Sequence, residues 1–303
     1  MKILLFGRTG QIGWELERAL APIGQLVSLD EEGSEGLCGD FTRPEALAET
    51  IQAVSPDVVV NAAAYTAVDD AESEPETVMA VNGEAPGVLA REARECGAWL
   101  VHYSTEYVYD GSGDRPWREG DAPEPLNAYG RAKREGDRAI QASGCKHLIL
   151  RTSWVYAPRG KNFLRTMLRL ACSREALQVI DDQYGAPTPA ELVADITAQV
   201  LPTALGDSGK SGIYHCTAAG ETTWHDYACY LIEQAREMGW PIKVSNDAIA
   251  PISTEGFPTA AQRPKNCRLD CERLERTFGI ARPDWRVGVE RALKELGNRE
   301  SGQ

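Results

Sequence analysis

The chain has 303 residues with 45 acidic and 32 basic side chains, a net charge of −13 and a pI near 4.9. Nucleic-acid binding is disfavoured, because it needs a basic surface. A hydrophobic content of 43% and a charged content of 25% are typical of a soluble globular protein. This length suffices for one large domain or two unequal ones. A small anionic substrate is still compatible with the net negative charge, because a local arginine cluster can make a binding site positive.

No segment of the sequence predicts a signal peptide or a membrane span. The first apolar run, Ile3–Phe6, is followed at once by Gly7 and Arg8. No run approaches the roughly 18–20 apolar residues of a spanning helix. The eight cysteines form no C-x-x-C pair and no cluster at zinc spacing, so free thiols in a reducing compartment are expected. We therefore expect a cytoplasmic protein with no membrane partner.

The first 160 residues alternate short apolar runs with amphipathic patterns such as Gln11–Ala21. Runs rich in Val, Ile and Leu without strict alternation are typical of strands covered on both faces. Alternation with helices predicts an α/β fold with a doubly wound parallel sheet of the Rossmann kind. The predicted strands are Lys2–Phe6, Leu26–Leu29, Asp57–Val60, Trp99–Tyr103 and Leu148–Thr152.

After about residue 160 the strand–helix rhythm loosens. Thr188-Pro-Ala-Glu191 has the form of a capping box and predicts a helix to about Leu201. We expect residues 1–160 to form the nucleotide-binding domain, with returning segments near 188–220. Residues 161–303 would form a smaller, interleaved substrate-binding part. Further predicted elements are the helices Asn162–Cys172, Trp224–Glu237, Asp270–Phe278 and Val287–Leu296, the strand Gly212–Thr217 and the irregular stretch Ala248–Asn266.

Three glycines, Gly7, Gly10 and Gly13, follow the first predicted strand and open the first predicted helix. In this context the pattern is typical of a dinucleotide-binding loop, where glycine permits a tight turn against the pyrophosphate and the helix N-terminus faces the phosphates. The sequence thus predicts a bound NAD(P). An unliganded tight turn is the simpler alternative.

Asp30 ends the second predicted strand, where an acidic side chain would accept hydrogen bonds from the adenosine ribose. Glu31 and Glu32 follow it and should repel a 2′-phosphate, whereas Arg8 in the glycine loop could meet a phosphate. NADH is therefore favoured, with NADPH tolerated. A solvated acidic turn remains the alternative for Asp30.

The fourth predicted strand runs into Ser104 and Thr105, and the carboxyl ends of strands collect the chemistry of doubly wound sheets. Farther along, Asn127 is a plausible N-cap for a helix that places Tyr129 and Lys133 on one face. An ammonium near a phenol would favour the phenolate and make Tyr129 a competent general acid. Hydride addition to a carbonyl, protonation by Tyr129 and a hydrogen bond from Thr105 would then form a carbonyl reductase. Core packing of Tyr129 and a solvated Lys133 are the alternative.

In this order the glycine loop, the strand-end Ser/Thr and Tyr-x-x-x-Lys resemble the extended short-chain dehydrogenase/reductases. Within that superfamily the chain is similar to the dTDP-4-dehydrorhamnose reductase family over nearly its whole length. The strings that carry the resemblance are GRTGQIGWEL, CGDFTRPE, DVVVNAAAYTAVDDAESEPE, GAWLVHYSTEYVYDG, PLNAYGRAKREGD, RTSWVYAPRGKNF, DDQYGAPT, TTWHDYA and RPKNCRLD.

This resemblance implies NAD(P)H-dependent reduction of the 4-keto group of a dTDP-6-deoxy-L-lyxo-4-hexulose to dTDP-L-rhamnose, a precursor of cell-surface polysaccharide such as lipopolysaccharide. Tyr129 would donate the proton, with Lys133 as its partner and Thr105 as the second hydroxyl. The cofactor would be lined by Gly10, Gln11, Ile12, Asp30, Gly39, Asp40, Ala63 and Ala64. The sugar would lie by Thr66, Val68, Thr105, Glu106 and Trp154.

Three further positions carry expectations. Glu106 stands where the family pattern has Asp, so its contact with the substrate is less certain than the core chemistry. Trp154 follows the fifth predicted strand and is expected to stack on the sugar rather than cap the core. Arg263 could bind the substrate pyrophosphate as a bidentate fork, although a surface role is as plausible.

Some members of the family are homodimers bridged by Mg²⁺, and Glu15, Glu191 and Glu295 are the matching positions. Three scattered glutamates do not by themselves specify a metal, and Glu191 already has a local explanation in the capping box. His102 and His225 are interpreted as structural, since no pair of histidines is at ligand spacing.

Two other functions stay open at this point. One is a non-catalytic regulatory or binding subunit that keeps the fold as a scaffold for a partner. The other is a sugar-nucleotide epimerase or dehydratase of the same superfamily. Dehydratases usually place an acid pair after the strand-end Thr, whereas Glu106-Tyr107 offers only one carboxylate.

Overall fold

Five continuous apolar runs in the first half of the chain become neighbouring strands of one sheet. The structure, a computed structural model, describes the backbone of residues 1–300 and the side chains of residues 1–297. Its first half contains β1 Lys2–Phe6, α1 Gln11–Leu20, β2 Gln25–Leu29, α2 Pro44–Val54, β3 Val58–Asn61, α3 Pro75–Met79, α4 Ala85–Glu95, β4 Trp99–Thr105, α5 Ala128–Ser143 and β5 Lys146–Thr152.

The second half contains shorter strands between longer helices. These are β6 Val155–Tyr156, α6 Phe163–Ser173, β7 Leu177–Ile180, β8 Tyr184–Gly185, β9 Thr188–Pro189, α7 Ala190–Gly206, β10 Gly212–His215, β11 Thr222–Thr223, α8 Trp224–Glu237, β12 Ile249–Ile252, α9 Glu272–Phe278 and α10 Trp285–Glu300.

Six strands form the central sheet in the order β10-β5-β4-β3-β1-β2, and every pairing in it is parallel. The chain leaves β1 toward β2 and returns to β3 on the other side, so the direction of winding reverses between β1 and β3. Ligands of open α/β sheets bind at such a reversal, beyond the carboxyl ends of the strands. The predicted α/β class with a doubly wound parallel sheet is confirmed.

After residue 189 the chain returns to the central sheet. Helix α7 packs on α1 over the sheet, and β10 extends the sheet at its edge. Helices α6, α8 and α10 enclose a separate core around Tyr227 and Trp285. This arrangement fits a smaller interleaved part, while its assignment to substrate binding stays a prediction.

Most predicted element bounds lie within two residues of the observed ones, but the capping box is wrong. Helix α7 begins at Ala190 with Pro189 as its N-cap and no side-chain cap. The Thr188 hydroxyl donates instead to the carbonyl of Ala186 at 2.9 Å. Thr188 belongs to β9, which pairs with β6. The residue that the local pattern assigned to the helix cap is therefore part of a strand. The stretch expected to be irregular also contains β12, paired with β7.

Across residues 1–300, none of the helices combines the length and the apolar character needed to cross a bilayer.

Candidate active site

The glycine loop lies at the winding reversal, between the ends of three strands. The N–H groups of Gly7 and Arg8 donate to the Leu29 carbonyl at the end of β2, at 2.8 and 3.1 Å. Gly7 has φ +84°, and a Cβ there would stand 2.5 Å from the Ala63 nitrogen beyond β3. Only glycine fits this left-handed position at such a close approach. The loop is thereby fixed against β2 and β3.

Helix α1 begins at this loop with its N-terminal face open. Its N-cap, Gly10, has no side-chain cap, so the first N–H groups of the helix are free to meet an anion. A Cβ at Gly10 would meet only the Gly7 carbonyl at 3.3 Å and the Ala62 carbonyl at 3.9 Å, which leaves its outer side clear. Gln11 is anchored by Asn162, whose Nδ2 donates to Oε1 at 2.8 Å. The residues present fit a pyrophosphate.

The expected ribose position lies at the end of β2, beside a pocket of about 380 Å³. Asp30 follows β2 and is partly buried. The Asp40 carboxylate accepts from the Thr42 N–H and hydroxyl at 2.9 and 2.6 Å, which holds the loop after Gly39. Arg8 pairs with Glu17 at 3.3 Å. The charged residues that line the pocket are Glu31, Glu32, Asp40, Arg43 and Glu49, which are four carboxylates and one cation.

Helix α5 lies directly on the turn that follows β4. Its N-cap Asn127 accepts from the Gly130 N–H at 2.8 Å, as predicted. A side chain at Gly130 would collide with the Tyr107 carbonyl, so glycine permits the close contact between α5 and the turn. This contact brings Tyr129 to the end of β4. The Thr105 hydroxyl lies close enough to the Tyr129 phenol to lower its pKa, and the Tyr129 ring meets Tyr107 edge to face at 5.6 Å.

Lys133 is buried under the sheet end and donates from Nζ to the Tyr103 carbonyl at 2.6 Å. Burial lowers the pKa of Lys133 to about 8, against the opposing attraction of Asp137. Burial also raises the pKa of Tyr129, and the Glu106 carboxylate adds to the rise. The expectation that Lys133 brings the Tyr129 phenol closer to working pH is therefore wrong in this structure, because burial outweighs it.

His102 and Asn61 lie on neighbouring strands, and His102 lies beside Lys133. Asn61 Oδ1 accepts from the Ala63 N–H at 3.1 Å, so its Nδ2 faces His102 Nδ1 at 2.9 Å. Burial holds the pKa of His102 well below its usual range, so the ring is neutral and carries its proton on Nε2. That Nε2 lies 3.4 Å from Lys133 Nζ. A histidine interpreted as merely structural thus contacts the candidate catalytic lysine.

Glu106 is buried rather than open to a sugar. Its side chain is 3% exposed, and Thr105 Oγ1 donates to Oε2 at 2.8 Å. Ser153 Oγ donates to Oε1 at 3.1 Å, and the Cys267 thiol lies close to the carboxyl and lowers its pKa. Burial raises the pKa of Glu106 to about 7 against these hydrogen bonds. Sequence reasoning missed Ser153 and Cys267, because nothing local indicates their approach to residue 106.

Two of the expected sugar-side residues, Thr66 and Val68, precede Asp69 in the chain. Thr66 is exposed and Val68 half-buried in the segment after β3. Beside them, Asp69 holds Arg263 through Oδ2 at 2.7 Å and accepts from the Ala261 N–H through Oδ1 at 3.0 Å. The segment around Arg263 is therefore attached to the nucleotide-binding side by a charged pair.

Trp154 lies in an aromatic stack and not at an open surface. It is 9% exposed, and its ring stacks on Trp224 at a centroid distance of 3.6 Å. Gly185 packs on the Trp154 ring so closely that a Cβ there would overlap it. The backbone of Trp154 has φ +48°, which is unusual for a bulky residue and marks local strain. The expected stacking on a sugar is not visible in this arrangement.

The three glutamates that match the metal positions line one small cleft of about 40 Å³ between α1, α7 and α10. Glu191 pairs with Arg291 at 2.6 Å, and Glu15 pairs with Arg18 at 3.4 Å. Among the described side chains, those of residues 1–297, no group of three or more acidic, histidine or cysteine residues is arranged to hold a metal ion. Glu15, Glu191 and Glu295 of one chain do not fit a Mg²⁺ site.

Comparison with known proteins identifies the family. The RmlD substrate binding domain family matches residues 1–298. The dTDP-4-dehydrorhamnose reductase of Escherichia coli (strain K12) is 52% identical over 296 residues, 98% of each chain. The crystal structure of a Clostridium acetobutylicum dTDP-4-dehydrorhamnose reductase superposes with a TM-score of 0.86 at 33% identity, covering 98% of this chain and 100% of that one.

A second solved relative carries a cofactor. The Bacillus anthracis dTDP-4-dehydrorhamnose reductase, solved in complex with NADP, has a TM-score of 0.85 at 30% identity and covers 97% of this chain and 99% of its own. Matches of this extent leave no part of residues 1–298 outside the family pattern. The chain belongs to the dTDP-4-dehydrorhamnose reductase family.

Proposed function

We propose that this protein reduces the 4-keto group of a dTDP-6-deoxy-L-lyxo-4-hexulose with NADH or NADPH to give dTDP-L-rhamnose. The observation that carries the proposal is the cluster of Thr105, Tyr129 and Lys133 beside an open glycine loop. A non-catalytic scaffold would have no need of a buried lysine next to a partly buried phenol, since burying an ammonium costs stability.

The cofactor would lie along the carboxyl ends of β1, β2 and β3. Gly7, Gly10 and Gly13 would face the pyrophosphate with the free N–H groups of Gln11 and Ile12. Asp30, Gly39 and Asp40 would hold the adenosine ribose, and Ala63 and Ala64 would cover the cofactor from β3. When bound, the reduced nicotinamide supplies the hydride. Four carboxylates against one arginine around the adenosine-side pocket favour NADH over NADPH.

The substrate carbonyl would receive its proton from Tyr129. Donation is favourable even from a phenol of raised pKa, because an alkoxide is the stronger base. Lys133, fixed by the Tyr103 carbonyl, has further N–H donors for the nicotinamide ribose and supplies positive charge near the reacting oxygen. Thr105 is the second hydroxyl at that oxygen.

The nucleotide sugar would lie along Thr66 and Val68, with its pyrophosphate on Arg263. In this structure Arg263 is occupied by Asp69 at 2.7 Å. A pyrophosphate offers the guanidinium two negatively charged acceptors in the geometry of a bidentate fork, so it can replace the single carboxylate. Glu106 and Trp154 are not assigned a direct contact with the sugar, because both are buried.

We further propose a cytoplasmic homodimer that supplies dTDP-L-rhamnose for cell-surface polysaccharide, as the family resemblance implies. A Mg²⁺ ion between two subunits would need carboxylates from both, and we derive no catalytic step through it. Size-exclusion chromatography with light scattering, with and without EDTA, tests the dimer and its dependence on the metal.

The proposed reaction is tested by incubating the purified protein with NADH and the dTDP-keto sugar. NADH absorbance should fall in proportion to dTDP-L-rhamnose formed, as identified by NMR of the product. Absence of NADH oxidation, together with stable co-purification of a partner protein, would favour the scaffold alternative.

A further inference from the structure

The protonation state of the Glu106 carboxyl decides where the Thr105 hydroxyl points. A threonine hydroxyl has one proton to donate and can accept two hydrogen bonds. Here Thr105 Oγ1 donates to Glu106 Oε2 at 2.8 Å and accepts from the Tyr107 N–H at 3.2 Å. One accepting position remains on Thr105 Oγ1.

An ionised Glu106 therefore turns the Thr105 hydroxyl away from the cleft. A carboxylate only accepts, so it holds the Thr105 proton at a distance of 2.8 Å. Thr105 then cannot donate to a substrate oxygen without breaking a charge-assisted hydrogen bond.

A protonated Glu106 reverses this hydrogen bond. Its O–H donates to Thr105 Oγ1, which then accepts from both Glu106 and the Tyr107 N–H. The Thr105 proton is then no longer held by the carboxyl and is free to be donated to an oxygen in the cleft. We propose that Glu106 is a positioning residue whose carboxylic acid form directs the Thr105 hydroxyl at the reacting oxygen, a proposal that rests on the reductase function.

The surroundings of Glu106 suit a group that changes its protonation near neutral pH. The carboxyl accepts hydrogen bonds from two neutral partners, Thr105 and Ser153, and no ion pair with Lys or Arg forms at this residue in the described part of the chain. Other titratable groups facing it are Tyr129 of α5 and Tyr107 of its own turn. Burial raises the pKa of Glu106 to about 7, so both forms are populated under ordinary conditions.

The test is the pH profile of kcat/KM. In the wild-type protein kcat/KM should fall as pH rises through about 7, because the acid form of Glu106 is lost. In Glu106→Gln the amide N–H donates to Thr105 at every pH, so this limb should disappear while the loss above about 8 from Lys133 persists. Glu106→Asp should restore the limb, as a merely structural role would not.

Ser153→Ala gives an independent check that does not alter the carboxyl. Ser153 donates to the carboxylate, so its removal destabilises the ionised form and should move the limb to higher pH. A limb that is unchanged in Glu106→Gln overturns the proposal. Inactivity of that variant at all pH values with cofactor binding retained also overturns it, since the ionised form would then be required.

Direct titration separates this proposal from the reductase assignment. The ¹³C NMR signal of the Glu106 carboxyl, identified by its absence in Glu106→Gln, should titrate near neutral pH in the cofactor-free protein. If the wild-type protein does not turn over the keto sugar, the reductase function fails and the titration alone decides. A carboxyl that titrates at the ordinary pKa of glutamate, near 4.3, overturns the proposal.

Discussion

Lys133 points its Nζ at the main-chain carbonyl of Tyr103, at 2.6 Å, and not at the phenol of Tyr129. The lysine four residues after the tyrosine is thus fixed by strand β4, with His102 at 3.4 Å on its other side. Its charge stays buried without an ion-pair partner at contact distance in the described residues. An arrangement of this kind lowers folding stability. We infer that the protein retains it because binding and catalysis need the lysine.

Replacement of Lys133 by Met should therefore stabilise the ligand-free protein while abolishing activity. Below pH 8 the wild-type lysine is charged in both states and the burial cost is fully present, so the gain should be about 1–3 kcal/mol. Between pH 8 and 10.5 the folded lysine is neutral while the unfolded one still binds a proton, so wild-type stability rises and the gain shrinks. Urea unfolding at several pH values measures this. A less stable variant at pH 7 would contradict it.

Replacement of Tyr129 by Phe should lower kcat about 10²- to 10⁴-fold and leave NADH binding unchanged, because only the proton donor is removed. Tyr107→Phe is the matched control, since it removes the hydroxyl of the ring that meets Tyr129 at 5.6 Å. Steady-state kinetics and fluorescence titration with NADH measure both effects. Near-normal turnover by Tyr129→Phe would remove Tyr129 as the proton donor.

Gly10→Ala should weaken cofactor binding at least tenfold without unfolding the protein. Gly10 has φ −69° and ψ 166°, which alanine adopts freely, and a Cβ there would project into the space assigned to the pyrophosphate. Gly120→Ala is the control, because nothing lies within 4 Å of a Cβ at that position. Calorimetric titration with NADH gives the affinities, and thermal unfolding reports on the fold. Equal affinity in the two variants would contradict the proposed cofactor position.

Arg263→Ala should raise KM for the nucleotide sugar about tenfold or more and leave kcat nearly unchanged. A charge-assisted contact to the pyrophosphate contributes on the order of 1.5–3 kcal/mol to substrate and transition state alike. Arg118→Ala is the control, since Arg118 is 70% exposed and pairs with Asp270 on the surface. An unchanged KM in Arg263→Ala would assign the residue to its pair with Asp69 alone.

The sequence predicts the sheet well because the signal for each strand is local. The run Lys2–Phe6 is apolar from Ile3 onward, and the observed strand has the same bounds as the predicted one. Asn127 as the N-cap of α5 is local too, and the structure confirms it. The prediction that Thr188 caps helix α7 is wrong because the decisive signal is not local. Thr188 pairs with β6, a segment more than 30 residues earlier in the chain.

The chemistry of the site is less predictable, because burial decides it. The Tyr-x-x-x-Lys spacing brings Tyr129 and Lys133 to one place, but no local pattern shows that the lysine would turn to the Tyr103 carbonyl. The burial of Glu106 requires Ser153 and Cys267, which come from segments about 50 and 160 residues away. Likewise, Trp154 stacks on the ring of Trp224, and no pattern near residue 154 predicts this contact.

The most direct test of the proposed reduction follows the hydride itself. The purified protein is incubated with NADH carrying deuterium at the transferable position and with the dTDP-keto sugar, and the product is examined by NMR. Deuterium at C4 of dTDP-L-rhamnose, with an equal amount of NAD⁺ formed, is the predicted result. Deuterium that stays in the cofactor, or a sugar isomerised without net oxidation of NADH, would contradict a reductase.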